Sequence, residues 1–160
     1  MVIEELIDQY GNDILRLCVT YLGDRQLAED AFQETFLKAW KARERFRGES
    51  SEKTWLSSIA VNTCRDMLRS GWFRMRRRSQ PIDYLLDLPS DAPEPLDSPV
   101  RAAVLGLPGR YRAVILLYYD QNMKMNEIAT LLHLSANTVS TRLRRARMQL
   151  QKTLKGEIDL

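Results

Sequence analysis

Residues 124–150 read KMNEIATLLHLSANTVSTRLRRARMQL, and their pattern decides the fold of the second half of the chain. The spacing predicts a short helix over Glu127 to Leu132, a tight turn at His133-Leu134, and a second helix that Ser135 caps. A serine hydroxyl at that place accepts a hydrogen bond from a backbone N–H that the first helical turn leaves unpaired. Val139, Leu143, Ala146 and Leu150 recur at intervals of four, three and four, which puts them on one face. Arg142, Arg144, Arg145 and Arg147 take the other faces. A helix with one apolar stripe and guanidinium groups elsewhere suits the DNA major groove: the stripe docks it, and the forks reach phosphates and guanine edges. A solvated basic helix in a bundle is the plainer alternative. The agreement in register of cap, turn and preceding helix weighs against it.

Upstream of this helix-turn-helix, Ser98 and Pro99 open a short helix over Val100 to Leu105, because proline is at ease in the first helical turn. Leu107-Pro108 begins another that runs to about Tyr119. Residues 81–97 differ in character, with prolines at 81, 89, 93 and 95, five acids in 81–100 and no base. Proline breaks helix interiors and like charges extend a chain, so this stretch reads as a linker. It divides the chain into a domain over 1–80 and a second over 98–160.

In the first domain a helical period runs through Ile3, Leu6, Ile7, Tyr10, Ile14, Leu17, Cys18 and Tyr21. Gly23 ends that helix and Asp24 caps the next. The second helix, Arg25 to about Arg45, carries Ala28, Ala31, Phe32, Thr35, Phe36, Ala39 and Trp40 on one face. A third begins near Ser51, with Trp55, Leu56, Ile59, Ala60, Thr63, Cys64, Met67 and Leu68 as its stripe. The expected core is Ile14, Leu17, Phe32, Phe36, Leu56, Ile59 and Ala60. The fold class is all-α: two small helical domains joined by an acidic, proline-rich linker.

The net charge of the 160-residue chain is only +3, but its distribution is uneven. Residues 1–40 hold eight acids and three bases, and residues 41–80 hold four acids and eleven bases. Residues 101–160 hold ten bases and four acids. Two basic regions beside acidic ones point to two contacts with a polyanion and separate contacts with protein. Two cysteines on apolar stripes read as buried thiols, not a disulfide framework. The acidic, amphipathic opening MVIEELIDQYG does not read as a signal peptide, and no apolar run reaches membrane-spanning length, so a reduced, cytoplasmic protein is expected. The single histidine and dispersed acids offer no nucleophile with its base and no metal cluster, and no glycine-rich phosphate loop is present. No enzyme activity and no cofactor, metal or small-molecule substrate are therefore expected.

Three segments in order resemble the extracytoplasmic-function (ECF) sigma factors of bacterial RNA polymerase. AEDAFQETFLKAW (28–40) is similar to the family's polymerase-binding helix. FRGESSEKTWLSSIAVNTCRDMLR (46–69) resembles its promoter-melting segment, and LPGRYRAVILLYYDQNMKMNEIATLLHLSANTVSTRLRRAR (107–147) its −35-reading domain. The resemblance implies a factor that binds core RNA polymerase, holds the −35 duplex with its C-terminal domain and opens the −10 element with its N-terminal domain. It also implies an anti-sigma partner. The acidic linker would thread the polymerase's RNA path, where negative charge resembles the transcript.

The resemblance implies roles residue by residue. Asp30, Gln33, Glu34, Phe36 and Lys38 would meet polymerase, where the residues alone favour a solvated acidic face. The loop Arg47 to Lys53 would receive a base flipped from the non-template strand, with Ala42, Phe46, Ile59 and Asn62 around it. An extruded base needs a face to stack on and an amide to read its edge, which Phe46 and Asn62 supply. Without the family, Phe46 reads as core and Asn62 as a surface amide. Arg65, Arg69, Arg74, Arg76, Arg77 and Arg78, interleaved with Trp72 and Phe73, read as a track for the strand backbone. In the recognition helix Ser135, Asn137, Thr138, Ser140, Thr141, Arg144 and Arg145 would face the −35 duplex, with Arg142 and Arg147 on phosphates. His133 stands where the family usually has glycine, so it reads as a turn residue in a left-handed conformation. A regulator that binds duplex DNA alone, a DNA-acting enzyme and a pure interaction protein are the rival readings. The first predicts neither TWLSSIAVN nor the acidic linker, the second lacks a nucleophile with its base or clustered carboxylates, and the third leaves the arginine-rich segments incidental.

Overall fold

A computed structural model describes residues 2–70 and 99–155 of the chain. Backbone contacts divide the chain into two compact units between Pro93 and Glu94. The expected linker over 81–97, the Ser98 cap, and Trp72, Phe73, Arg74, Arg76, Arg77 and Arg78 lie outside the described residues.

In the first unit, Gly23 adopts a left-handed conformation (φ 73°) and its N–H bonds to the Val19 carbonyl at 2.9 Å, which ends α1 (Ile3–Leu22). Asp24 follows, and its Oδ1 accepts from the Leu27 N–H at 2.9 Å to start α2 (Arg25–Lys41). Ser51 Oγ accepts from the Thr54 N–H at 3.1 Å and starts α3 (Glu52–Arg69). Each of the three helices packs against the other two. Ile14, Leu17, Phe32, Phe36, Leu56 and Ala60 are buried at the centre as expected. The Phe32 and Phe36 rings lie 4.9 Å apart, and Cys18 and Cys64 are buried free thiols. Ile59 is only half-buried.

The second helix is shorter than its sequence suggests. It stops at Lys41, and Arg43–Arg45 form a 3-10 turn. Arg43 Nη1 donates to the Trp40 carbonyl at 2.6 Å, and its guanidinium lies 4.4 Å over the Trp40 ring. A carbonyl satisfied by an arginine replaces the glycine that usually marks a helix end. Trp40 is also 48% exposed, and so is not part of the buried face. At 100° per residue it lies about 40° beyond Phe36 and about 100° from Ala39, at the edge of the buried face.

In the second unit, α4 (Pro99–Leu105) is followed by α5 (Gly109–Ile115). Arg112 Nη2 donates to the Leu105 and Leu107 carbonyls at 2.6 and 3.1 Å, tying the two helices together. The helix expected to reach Tyr119 instead becomes a π turn over Leu116–Asp120, where the Gln121 N–H reaches back five residues to the Leu116 carbonyl at 3.0 Å. Next come α6 (Met125–Leu132) and α7 (Ala136–Leu154). The Glu127 carboxylate accepts from the Lys124 N–H at 3.0 Å and extends α6 two residues upstream of the expected start. Val104, Val114, Leu117, Ile128, Val139, Leu143 and Ala146 form the core, and α7 packs on α4, α5 and α6. Leu150 is half-buried at the end of its stripe.

Candidate nucleic-acid interface

Local capping chemistry sets the helix-turn-helix. His133 has φ 58° and ψ 44°, and the Leu134 N–H reaches back to the Ala129 carbonyl at 2.9 Å. That six-residue closure needs a left-handed residue, which histidine supplies here at a strain glycine would not incur. Ser135 Oγ then accepts from the Thr138 N–H at 3.1 Å and lies 2.9 Å from Thr138 Oγ1. Ser135 and Thr138 thus serve the cap first, with Ser135 still exposed and Thr138 partly so.

Along α7 the buried residues Val139, Leu143 and Ala146 face the unit. Asn137, Ser140, Arg144, Arg145 and Arg147 are exposed, and Thr141 and Arg142 are partly so. The arginines are not equivalent. Arg147 Nε donates to the Tyr119 hydroxyl at 2.6 Å, and its guanidinium lies 5.5 Å from the centres of both the Tyr118 and Tyr119 rings. Arg110 lies 4.6 Å over the Tyr111 ring, and Arg145 is close enough to act on its phenol. The Arg110 guanidinium, with Arg145 second, holds the Tyr111 phenol below its ordinary value of 10.0. A cation beside the phenol favours its charged form.

In the first unit, Trp55, Ile59, Asn62 and Arg69 recur at four, three and seven residues, so they share a stripe of α3. The Phe46 ring packs 4.8 Å from Trp55, tilted by 33°. Arg45, Phe46, Arg47, Glu49, Ser50 and Trp55 line an open cleft of about 290 Å³. Phe46 is half-exposed at its edge, so it is not core. Ala42, Ile59 and Asn62 lie outside the cleft lining, though Ile59 and Asn62 continue the Trp55 stripe. Arg45 and Trp55 are the cleft residues that sequence reasoning did not assign to the base. The place of Trp55 in an apolar helix stripe made it look like core. Asn62 Oδ1 accepts from Arg65 Nη2 at 2.7 Å, which leaves the amide nitrogen outward and joins the arginine to this stripe of α3. Arg69 is exposed. Lys53 Nζ instead lies 3.5 Å from Asp13 Oδ2, tying α3 to α1. Its side chain remains partly exposed.

The outer face of α2 carries Gln33, Glu34, Leu37, Trp40 and Lys41. Two members of the expected polymerase set lie elsewhere. Phe36 is 1% exposed in the core, so it forms no contact surface. Asp30 is buried at 7% and interacts within the fold. Lys38 Nζ donates to Thr63 Oγ1 at 3.1 Å, joining α2 to α3. Leu37 and Trp40 are the exposed large apolar side chains of α2. Among the described residues, no three His, Cys, Asp or Glu side chains gather to hold a metal, and no helix is long and apolar enough to cross a membrane.

A helix-turn-helix with a basic outer face in one unit and an aromatic cleft in the other are features of a DNA-binding protein. Residues 6–74 match Sigma-70 region 2 and residues 98–150 match Sigma-70, region 4. The ECF RNA polymerase sigma factor SigW of Bacillus subtilis is 31% identical over 94% of this chain and 88% of its own length. SigG of Mycobacterium tuberculosis is 35% identical over 95% of this chain, which spans 48% of that relative. Two solved structures share the fold. The sigma factor RpoE of Bartonella quintana, in complex with the anti-sigma factor NepR, has a TM-score of 0.75 at 21% identity, covering 97% of this chain and 98% of that one. CnrH, in complex with the cytosolic domain of CnrY, has a TM-score of 0.72 at 23% identity, covering 98% and 89%. The chain belongs to the ECF sigma factors, the family that directs promoter-specific transcription initiation with RNA polymerase.

Proposed function

We propose that this sigma factor holds the −35 duplex with α7 and captures a flipped −10 base in the cleft beside α3, while core polymerase rides on the outer face of α2. The observation that carries the reading is the exposed row Ser140, Arg144 and Arg145 on a helix whose opposite face is buried. Arginine forks on such a helix read guanine edges in the major groove, each bidentate contact contributing roughly 1–3 kcal/mol of discrimination. In the first unit the Phe46–Trp55 pair offers an aromatic face for stacking, and Arg45 and Arg47 flank it with positive charge. Asn62, with its amide nitrogen outward, supports base-edge reading one turn beyond Ile59.

Separating two strands costs on the order of 1.4 kcal/mol per base-pair step in lost stacking, so one captured base offsets only a short melted segment. Polymerase must hold the rest of the bubble. The domain division at 1–80, 81–97 and 98–160 serves this reading, with the acidic linker passing between two DNA contacts. The anti-sigma factor NepR bound to RpoE in the Bartonella quintana structure supports an anti-sigma factor for this chain as well. Leu37 and Trp40 give such a partner, or polymerase, an apolar anchor. In vitro transcription with core polymerase over a randomised promoter library tests the whole reading. The expected result is a defined −35 and −10 preference that appears only when the protein is added. An unselective product spectrum overturns it.

A further inference from the structure

The π turn has a result that the major-groove reading leaves unused. By adding a residue to one helical turn, it buries Leu116 and Leu117 and leaves Tyr119 54% exposed. Tyr119 meets Arg147 across 28 residues of sequence, hydroxyl to Nε at 2.6 Å. Tyr118 packs edge-on to Tyr119 at 4.9 Å, and both rings flank the guanidinium. Among the described residues Arg147 has no carboxylate partner. Its Nε is engaged, so the edge that remains open carries Nη1 and Nη2, a planar pair of donors matched to two phosphate oxygens. Arg147 also continues the stripe of Ser140 and Arg144, at spacings of four and three, toward the C-terminal end of α7.

We infer that Tyr119 is a positioning residue that holds Arg147 as a fixed clamp for one DNA backbone phosphodiester at the edge of the duplex read by α7. The inference rests on α7 facing the −35 duplex. A free arginine must lose side-chain entropy on meeting a phosphate, and a guanidinium already held at Nε and resting against two rings has less to lose. The contact sets register on the duplex and carries no sequence information.

The test uses the full chain on core polymerase and measures binding to promoter duplexes over a series of salt concentrations. The duplexes include a panel with altered −35 letters. Arg147→Ala should weaken every duplex alike and lower the slope of log affinity against log salt by about one. Tyr119→Phe keeps the ring and the charge and removes the hydrogen bond, and should weaken binding roughly threefold. The double variant should bind no worse than Arg147→Ala, because the tyrosine acts only through the arginine. Tyr119→Phe binding like the unaltered chain, or adding its full loss to that of Arg147→Ala, overturns the inference. So does a loss of polymerase affinity without DNA, which would assign the site to a protein carboxylate. If Arg144→Ala relaxes −35 selectivity while the Tyr119 and Arg147 variants match the parent, only this inference falls. If no α7 variant alters DNA binding, the major-groove reading falls with it.

Discussion

His133 shows how much one backbone angle asks of a side chain. Its φ of 58° closes the turn between α6 and α7. His133→Gly should raise or preserve thermal stability, since glycine enters that region freely, whereas His133→Val should lose roughly 1–3 kcal/mol. A melting curve for each variant decides it, and a stable valine variant would contradict the geometry. On α7, Arg144→Ala should relax the −35 preference by roughly 1–3 kcal/mol at one base pair in a competition assay. Tyr111 titrates in the opposite sense to a buried phenol. Its folded value is lowered, so the folded state is favoured as pH rises through that value, and the gain is complete above the ordinary 10.0. Ultraviolet titration should resolve one early phenol that reverts when Arg110, the larger cause, becomes Ala. Caps and turns were legible in the sequence because their chemistry is local: Gly23, Asp24, Ser51, His133 and Ser135 each act within a few residues. Lys53 and Arg147 were not, because Asp13 and Tyr119 reach them from distant parts of the chain.

At the scale of the helix, the periodicity of α2 separates structure from contact. Phe36→Ala should destabilise the first unit by about 3–5 kcal/mol through lost burial and a cavity, with polymerase binding falling only as the unit unfolds. Trp40→Ala leaves the core untouched and should weaken polymerase binding at unchanged melting temperature. Reversal of those two outcomes would put the contact surface on the wrong face. The sequence pattern identified this helix and most of its buried face, yet it included Trp40 because an aromatic next to Ala39 looks apolar. The indole lies at the edge of that face, with the Arg43 guanidinium over its ring. The π turn was illegible for a related reason. Leu116 to Asp120 carries no glycine or proline, and the five-residue reach of Gln121 depends on how Leu116 and Leu117 bury.

Across the whole molecule, each unit has its own buried core and its own basic surface. Two cores with few shared demands should unfold as two calorimetric transitions. Leu143→Ala, buried between α7 and its neighbours, should lower one transition by about 2–5 kcal/mol and leave the other in place. A single merged transition that shifts as one would argue for a joint core. The all-helical, two-part character was legible because hydrophobic period and proline content change abruptly along the chain.

The chain contains three tryptophans, at positions 40, 55 and 72. Trp55 rests on Phe46 at the mouth of the cleft, while Trp40 stands on the far-reaching face of α2. With Trp72 changed to Phe, the two remaining indoles become built-in lamps for separate events. Strand capture should quench one and polymerase docking should shift the other, so the order in which the factor engages its machine and its promoter becomes visible in real time without a label.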